Sequence, residues 1–348
     1  MLHPIIKEDL NVITSSNLPW EKLRDKTVFI SGVNGFLPAY LAYTLLELND
    51  KFSLNIHVLG LARSKEKATL KFGDILKRTD LEILIQDVCN PIASQHKIDF
   101  IIHAASQASP RYYGLDPVGT LNANVIGTNN LLQLAKENSV EGFLFFSTSE
   151  VYGTLPEDKI PTKENEYGAI DPVQVRACYA ESKRLGETMC ICWMHQYGIP
   201  VKIVRPFHTY GPGMQLDDGR VYADFIADIV EGRNIVMKSD GSAMRAFCYL
   251  SDATLGFFTV LLKGENGHAY NVGNPTQEIS IINLADKLVS LFPEKKLKVI
   301  RSDNSKSVTY LKSIVSRNCP DITKASGLGW NPTVSAEDGF TRTIKSYA

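Results

Sequence analysis

Thr27-Val-Phe-Ile-Ser31-Gly32-Val-Asn34-Gly35-Phe36-Leu37-Pro38-Ala39 is the stretch on which the fold turns. Its first five residues, largely apolar and partly β-branched, read as a buried strand, the two glycines as a tight turn, and the apolar-periodic run from Ala39 to Leu48 as a helix. A strand that turns through glycine into a helix N-terminus makes a cradle for a pyrophosphate. Gly32 and Gly35 let the backbone approach the anion, Asn34, Phe36 and Leu37 line the turn, and the free N–H groups and dipole of the helix favour negative charge. The third glycine of such a fingerprint is replaced by Pro38, which a first helical turn tolerates because no N–H is needed there.

Outward from this stretch, apolar strands alternate with helices. A second strand at Ile56–Ala62 ends in Arg63, a third at Leu81–Gln86 ends in Asp87-Val88, and a fourth at Ile98–Ile102 runs into His103-Ala104-Ala105-Ser106. A helix is expected over Thr120–Asn138, a fifth strand over Gly142–Phe146 and a sixth over Val201–Arg205, followed by Pro206. The alternation predicts an α/β chain, a Rossmann-type doubly wound parallel sheet that binds ligands at the carboxyl ends of its strands. We read residues 1–26 as an extension and 27–205 as the dinucleotide-binding domain. Residues 206–348 read mainly as a smaller C-terminal α/β substrate-binding lobe interleaved with the first, with Asn266–Pro275 and Ile279–Leu291 as a strand and helix of that lobe. Strand two ends without the acidic residue that usually holds an unphosphorylated ribose. Arg63 therefore moves the expected cofactor from NAD toward NADP without deciding between them.

Strand five delivers Ser147-Thr148-Ser149-Glu150 to the same sheet edge, and thirty residues on stand Tyr179 and Lys183. At i and i+4 on a helix these two share one face, and a lysine cation there is expected to pull the phenol below its usual value of about 10. A phenol so tuned serves as a base.

Composition narrows the class. The 348 residues hold 37 Lys and Arg against 38 Asp and Glu, a formal charge of −1 with no basic footprint for nucleic acid. No stretch reaches the roughly 18 apolar residues of a membrane span, and Met1–Leu10 is too short and too charged for a signal peptide, so a cytoplasmic location and a small-molecule partner are expected. Six cysteines without a C-x-x-C pair suggest neither a zinc site nor a disulfide framework. Cys190 and Cys192 share a segment with His195, but at i and i+2 on a helix the two cysteines face different ways, so no metal is expected.

Taken in order, these motifs resemble the extended short-chain dehydrogenase/reductase superfamily in its nucleotide-sugar branch, over about Thr27 to Pro332. Within it, Ala108-Ser109-Pro110, Tyr113, Asp116-Pro117, Arg176-Ala-Cys-Tyr179, Asp218-Gly-Arg220-Val221, Arg245-Ala-Phe-Cys-Tyr249 and Arg317 near Pro320-Asp-Ile322 are most similar to UDP-glucuronate decarboxylases. The resemblance implies catalysis by Tyr179, Lys183, Thr148, Glu150 and Ser149. It implies substrate contacts from Ser109, Arg111, Tyr113, Glu150, His208, Arg220, Arg245 and Arg317, with Arg220 and Arg245 as a diphosphate clamp. The cofactor would touch Gly32, Asn34, Gly35, Phe36, Leu37, Arg63, Asp87, Val88, Ala104, Ala105, Ser106, Tyr179, Lys183 and Pro206. Similar 4,6-dehydratases carry Thr-Asp-Glu where this chain has Thr148-Ser149-Glu150, which favours decarboxylation. His208 and Gly213, where relatives commonly have asparagine and arginine, keep 4,6-dehydration or epimerisation of another nucleotide sugar open, and a non-catalytic sensor is the reading from a different class. The apolar runs near Leu121–Leu134 and Glu181–Trp193 suit a homodimer built on two helices from each subunit.

Overall fold

A computed structural model describes residues 2–301 and 315–347. In chain order it opens with α1 (Pro4–Thr14), then β1 (Thr27–Ser31), α2 (Phe36–Phe52), β2 (His57–Ala62), α3 (Lys65–Phe72), β3 (Leu81–Ile85) and β4 (Phe100–His103). There follow α4 (Pro110–Leu115), α5 (Pro117–Asn138), β5 (Gly142–Phe146), α6 (Ala177–Tyr197), β6 (Val201–Pro206), β7 (His208–Tyr210) and α7 (Val221–Val230). The chain continues through β8 (Ile235–Met237), β9 (Met244–Tyr249), α8 (Leu250–Lys263), β10 (Ala269–Val272), β11 (Glu278–Ser280), α9 (Ile281–Ser290) and β12 (Val299–Arg301). It closes with β13 (Arg317–Asn318), α10 (Thr323–Ser326) and α11 (Ala336–Lys345).

Seven strands form one parallel sheet in the order β10-β6-β5-β4-β1-β2-β3. The near-continuous apolar strands require cover on both faces. On one face Phe29, Ile101, Phe143 and Phe145 pack with α5 and α6; on the other Val28, Ile30 and Ile102 pack with α2 and α8. Strand order reverses beside β1, so β1 and β4 open a crevice at their carboxyl ends. Their register sets Ser31 against His103. There Ser31 Oγ meets His103 Nδ1 at 2.9 Å and accepts the N–H groups of Ala104 and Ala105 at 3.1 and 3.0 Å. A hydroxyl inside a sheet edge thus fixes the turn that leaves β4. Strands 2, 3, 4 and 6 differ from their expected bounds by a residue or two, as strand ends do when the cross-strand partner decides them.

One expectation needs correction. The strand near residue 270 is not part of a small C-terminal lobe: β10 pairs with β6 and completes the large sheet, with α8 packed across it. Residues 1–26, read as an extension, dock on the core. Leu10, Ile13 and Leu23 are buried, α1 packs on α2 and α8, and Trp20 meets Phe258 edge-on at 5.2 Å. Each such buried side chain contributes about 1.5–3 kcal/mol. Asp9 is buried on the same helix and accepts from Tyr40 Oη at 3.0 Å, Tyr249 Oη at 2.8 Å and an Arg342 nitrogen at 2.9 Å. The first helix thereby ties α2 of the large sheet to β9 and α11.

The remaining elements make a second core, in which β9 pairs with β7, β11 and β13, and Tyr210, Phe247 and Phe340 pack under α7, α9 and α11. This layer lies across the carboxyl ends of the large sheet and closes the crevice into a cleft.

Candidate active site

The cleft measures about 1900 Å³, where a single small-molecule pocket holds roughly 300–1,000 Å³. Its size suits two ligands end to end. All of the residues expected at a cofactor line it, from Gly32, Asn34, Gly35, Phe36 and Leu37 through Arg63, Asp87, Val88, Ala104, Ala105 and Ser106 to Tyr179, Lys183 and Pro206. Gly32 takes φ +68°, and a Cβ there would stand 2.8 Å from the Ala105 Cα, so the turn is closed to any larger residue. The α2 N-terminus opens on this turn with no side-chain cap, leaving its N–H groups for an anion. Ser106 Oγ and Gln107 Oε1 are buried without a hydrogen-bond partner at the same edge. A polar dinucleotide fits this half: the orphaned groups and the cradle each lack what its phosphates and hydroxyls supply.

At the end of β5, Thr148 caps a short helical turn by accepting the Glu150 N–H at 3.2 Å, which places Ser149 and Glu150 at the cleft wall. Tyr179 and Lys183 face it from the first turns of α6. The Tyr179 ring lies stacked on Tyr113, centroids 4.9 Å apart and planes 16° apart. Burial pushes the phenol up to about 12, the Glu150 charge adds to this, and a hydrogen bond with Thr148 and the Arg220 charge oppose it. The lysine does not lower it as expected. Lys183 Nζ donates to the Phe146 carbonyl at 2.6 Å, and burial drives its own value down to about 7, which disfavours the full cation that was anticipated. Desolvation outweighs the pairwise attraction on which the i, i+4 argument rested.

Glu150 is paired with Arg176 at 2.8 Å. The motif containing Arg176 was legible in the sequence, but its placement opposite Glu150 was not, since the two are 26 residues apart. Ser149 Oγ accepts from Asn318 at 3.3 Å. Beneath the site, Arg205 forks onto Glu187 at 2.8 and 2.6 Å, the buried pair that supports α6 against β6.

The substrate half carries Ser109, His208, Arg220 and Arg245. Arg220 donates to Asp218 and, at 2.8 Å, to the Ala108 carbonyl; Arg245 donates to the carbonyls of Met244, Val315 and Ser316 at 2.8–3.1 Å. Both guanidiniums are therefore held in place by the backbone. His208 opens β7 between the edges of the Tyr222 and Phe247 rings, and its Nδ1 is buried without a partner. Burial first, then Arg245 and Arg220, hold its value well below the usual imidazole range, so it is neutral. Gly213 sits at φ +82°, and Lys71 from α3 donates to its carbonyl at 3.1 Å, bringing a cation that sequence spacing did not reveal into this wall.

Three of the expected substrate residues stand elsewhere. Tyr113 is buried behind Tyr179, with its hydroxyl on the Ala108 carbonyl at 3.0 Å, and supports the phenol instead of lining the cleft. Arg111 is solvent-facing beside Asp217 at 3.3 Å. Arg317 is taken up by Glu278 at 2.7 and 2.9 Å and Glu157 at 2.9 Å, outside the cleft.

A seven-stranded parallel sheet, a glycine cradle and a Tyr/Lys/Thr cluster at one edge define the class, and the chain belongs to the NAD dependent epimerase/dehydratase family, whose model matches residues 28–273. Over 317 residues it is 35% identical to UDP-glucuronic acid decarboxylase 5 of Arabidopsis thaliana, covering 90% of this chain and 86% of that protein. Among solved structures it is similar to the epimerase Mth375 of Methanothermobacter thermautotrophicus, with a TM-score of 0.80 at 21% identity over 99% of this chain and 96% of that one. It is also similar to UDP-glucuronic acid 4-epimerase of Bacillus cereus, solved with UDP-glucuronic acid and NAD, with a TM-score of 0.72 at 25% identity over 92% and 98% of the two chains.

Proposed function

We propose that this chain decarboxylates UDP-glucuronate, releasing UDP-xylose or its 4-keto precursor. The observation that carries the reading is Ser149 between Thr148 and Glu150: the wall holds a hydroxyl where an elimination at C6 would need a carboxylic acid. NAD(P), when bound in the glycine-lined half, supplies the acceptor and later the donor of a hydride at C4. The chain's own groups do the rest. Tyr179, which burial chiefly holds at about 12, would take the proton of the C4 hydroxyl with the positive charge of the oxidised nicotinamide beside it lowering the phenol, while Thr148 holds that oxygen. The resulting β-keto acid breaks its C5–C6 bond, CO2 leaves, and the electron pair becomes an enolate whose oxygen faces the same two donors. Glu150, oriented by Arg176, is the acid–base candidate at C5. Arg220 and Arg245 would grip the diphosphate, with Arg245 shared with the sugar carboxylate.

His208 and Gly213 favour a second reading, epimerisation or 4,6-dehydration of a different nucleotide sugar, because both alter the wall that faces the sugar. The test is mass spectrometry of products from UDP-glucuronate, UDP-glucose, dTDP-glucose and GDP-sugars with both cofactors supplied. Loss of CO2 from UDP-glucuronate supports decarboxylation; loss of water from a neutral sugar, with UDP-glucuronate inert, overturns it.

The cofactor choice belongs to the same proposal. Arg63 lies 3.9 Å from Asp87 and is 61% exposed, so its charge is open to a 2′-phosphate, and titrating both dinucleotides decides. A homodimer through α5 and α6 is supported by Leu121, Ile126, Leu185 and Ile191, apolar and exposed on these helices. No helix among the described residues is long and apolar enough to cross a membrane, and six unpaired cysteines suit a reducing cytoplasm.

A further inference from the structure

At the opposite edge of the sheet from the cleft, three side chains that no part of the proposed reaction uses converge. His57 is the first residue of β2, and Leu59, two residues on, points to the same face because side chains alternate along a strand. Leu59 is in register with Glu82 of β3, so His57 and Glu82 are diagonal neighbours on one face. The segment that leaves β3 returns over this face and carries His96. Its backbone N–H donates to Ser94 Oγ at 3.1 Å, and the serine hydroxyl donates to the His96 carbonyl at 2.9 Å. The His96 ring lies 4.7 Å from that of His57, with Nε2 3.1 Å from Glu82 Oε2. One donor atom from each residue lies within 4.8 Å of the other two.

We propose that His57, Glu82 and His96 form a divalent transition-metal site of the zinc type, with water in the fourth position, that pins the loop before β4 to the amino edge of the sheet. Two imidazoles and a carboxylate are a donor set that zinc accepts, with ligand bonds of about 2.0–2.2 Å. Tetrahedral angles at that length separate the donor atoms by about 3.3 Å. The His96–Glu82 pair already has this spacing at 3.1 Å. The His57–His96 separation closes by movement of His96 on its exposed loop, and the His57–Glu82 separation by rotation of the partly exposed Glu82 side chain. The site is independent of the proposed reaction, since it lies at the amino ends of β2 and β3 and the cleft at the carboxyl ends.

The test uses the full chain without an affinity tag, titrated with Co2+ and then Zn2+. We expect one equivalent of Co2+ with a visible d–d spectrum and no thiolate charge-transfer band, displacement by Zn2+, and a raised Tm with either ion. His96→Ala and Glu82→Gln should each weaken binding by tenfold or more and abolish the Tm shift, while leaving turnover of the nucleotide sugar as in the parent chain. Three results would overturn the site: no binding up to about 100 μM ion, a thiolate band showing that the cysteines hold the metal, or unchanged affinity in His96→Ala. The alanine sits on an exposed loop, so its folding is not at risk.

Discussion

Replacing Tyr179 by phenylalanine removes one oxygen and little else. The ring stack on Tyr113, centroids 4.9 Å apart, is kept, so the helix should seat unchanged. What is lost is the hydrogen bond with Thr148 and the group that takes the C4 proton. The first costs stability by about 0.5–1.5 kcal/mol at most. The second is worth about 10²–10⁴ in rate, or about 3–5 kcal/mol of barrier. The two magnitudes separate the roles: turnover should fall by about a thousandfold while Tm moves only slightly and the affinities for nucleotide sugar and cofactor change less than about threefold. Turnover is followed by mass spectrometry of the product and binding by calorimetry. Turnover within tenfold of the parent chain would refute the assignment of Tyr179 as base. Unchanged binding with no turnover in the parent chain either would favour the sensor reading.

The remaining predictions concern charge and packing. Lys183 is held at about 7 in the folded chain, against 10.5 when exposed. The folded state therefore binds fewer protons than the unfolded one between these values, and stability attributable to this group rises with pH across that window. Lys183→Met should accordingly raise Tm most at pH 6 and progressively less toward pH 10, while abolishing turnover; a pH-independent difference in scanning calorimetry would show that the amine is not desolvated. Asp9→Ala removes a buried carboxylate from two tyrosines and Arg342 and should destabilise by about 3 kcal/mol in chemical denaturation. A loss below about 0.5 kcal/mol would mean that the first helix is not part of the core. His208→Asn should leave dinucleotide affinity intact but shift KM or the preferred nucleotide sugar. An unchanged substrate profile across the panel would place His208 outside the sugar contacts.

Much of the site could be read before any coordinates because it is local. A strand, a glycine turn and a helix start are written in consecutive residues, and the hydroxyls after strand five follow directly from an apolar run that must end at the sheet edge. Tyr179 and Lys183 share a face because helical periodicity requires it. Other features depend on partners far along the chain. Strand β10 joins β6 across more than sixty residues, so no local signal could assign it to the large sheet. Arg317 was expected at the substrate from the motif around it, but spacing could not show that Glu278 and Glu157, far away in the chain, take up its guanidinium. The ionisation of the Tyr/Lys pair also required the fold, because desolvation is set by what covers a side chain and spacing cannot report it. By itself, then, the sequence determined six strands of the sheet, the cradle and the candidate catalytic side chains, each through periodicity and turn chemistry. Tertiary structure decided which arginines reach the cleft, how the first helix enters the core, and that His57, Glu82 and His96 meet, because each is a contact between segments that only folding brings together.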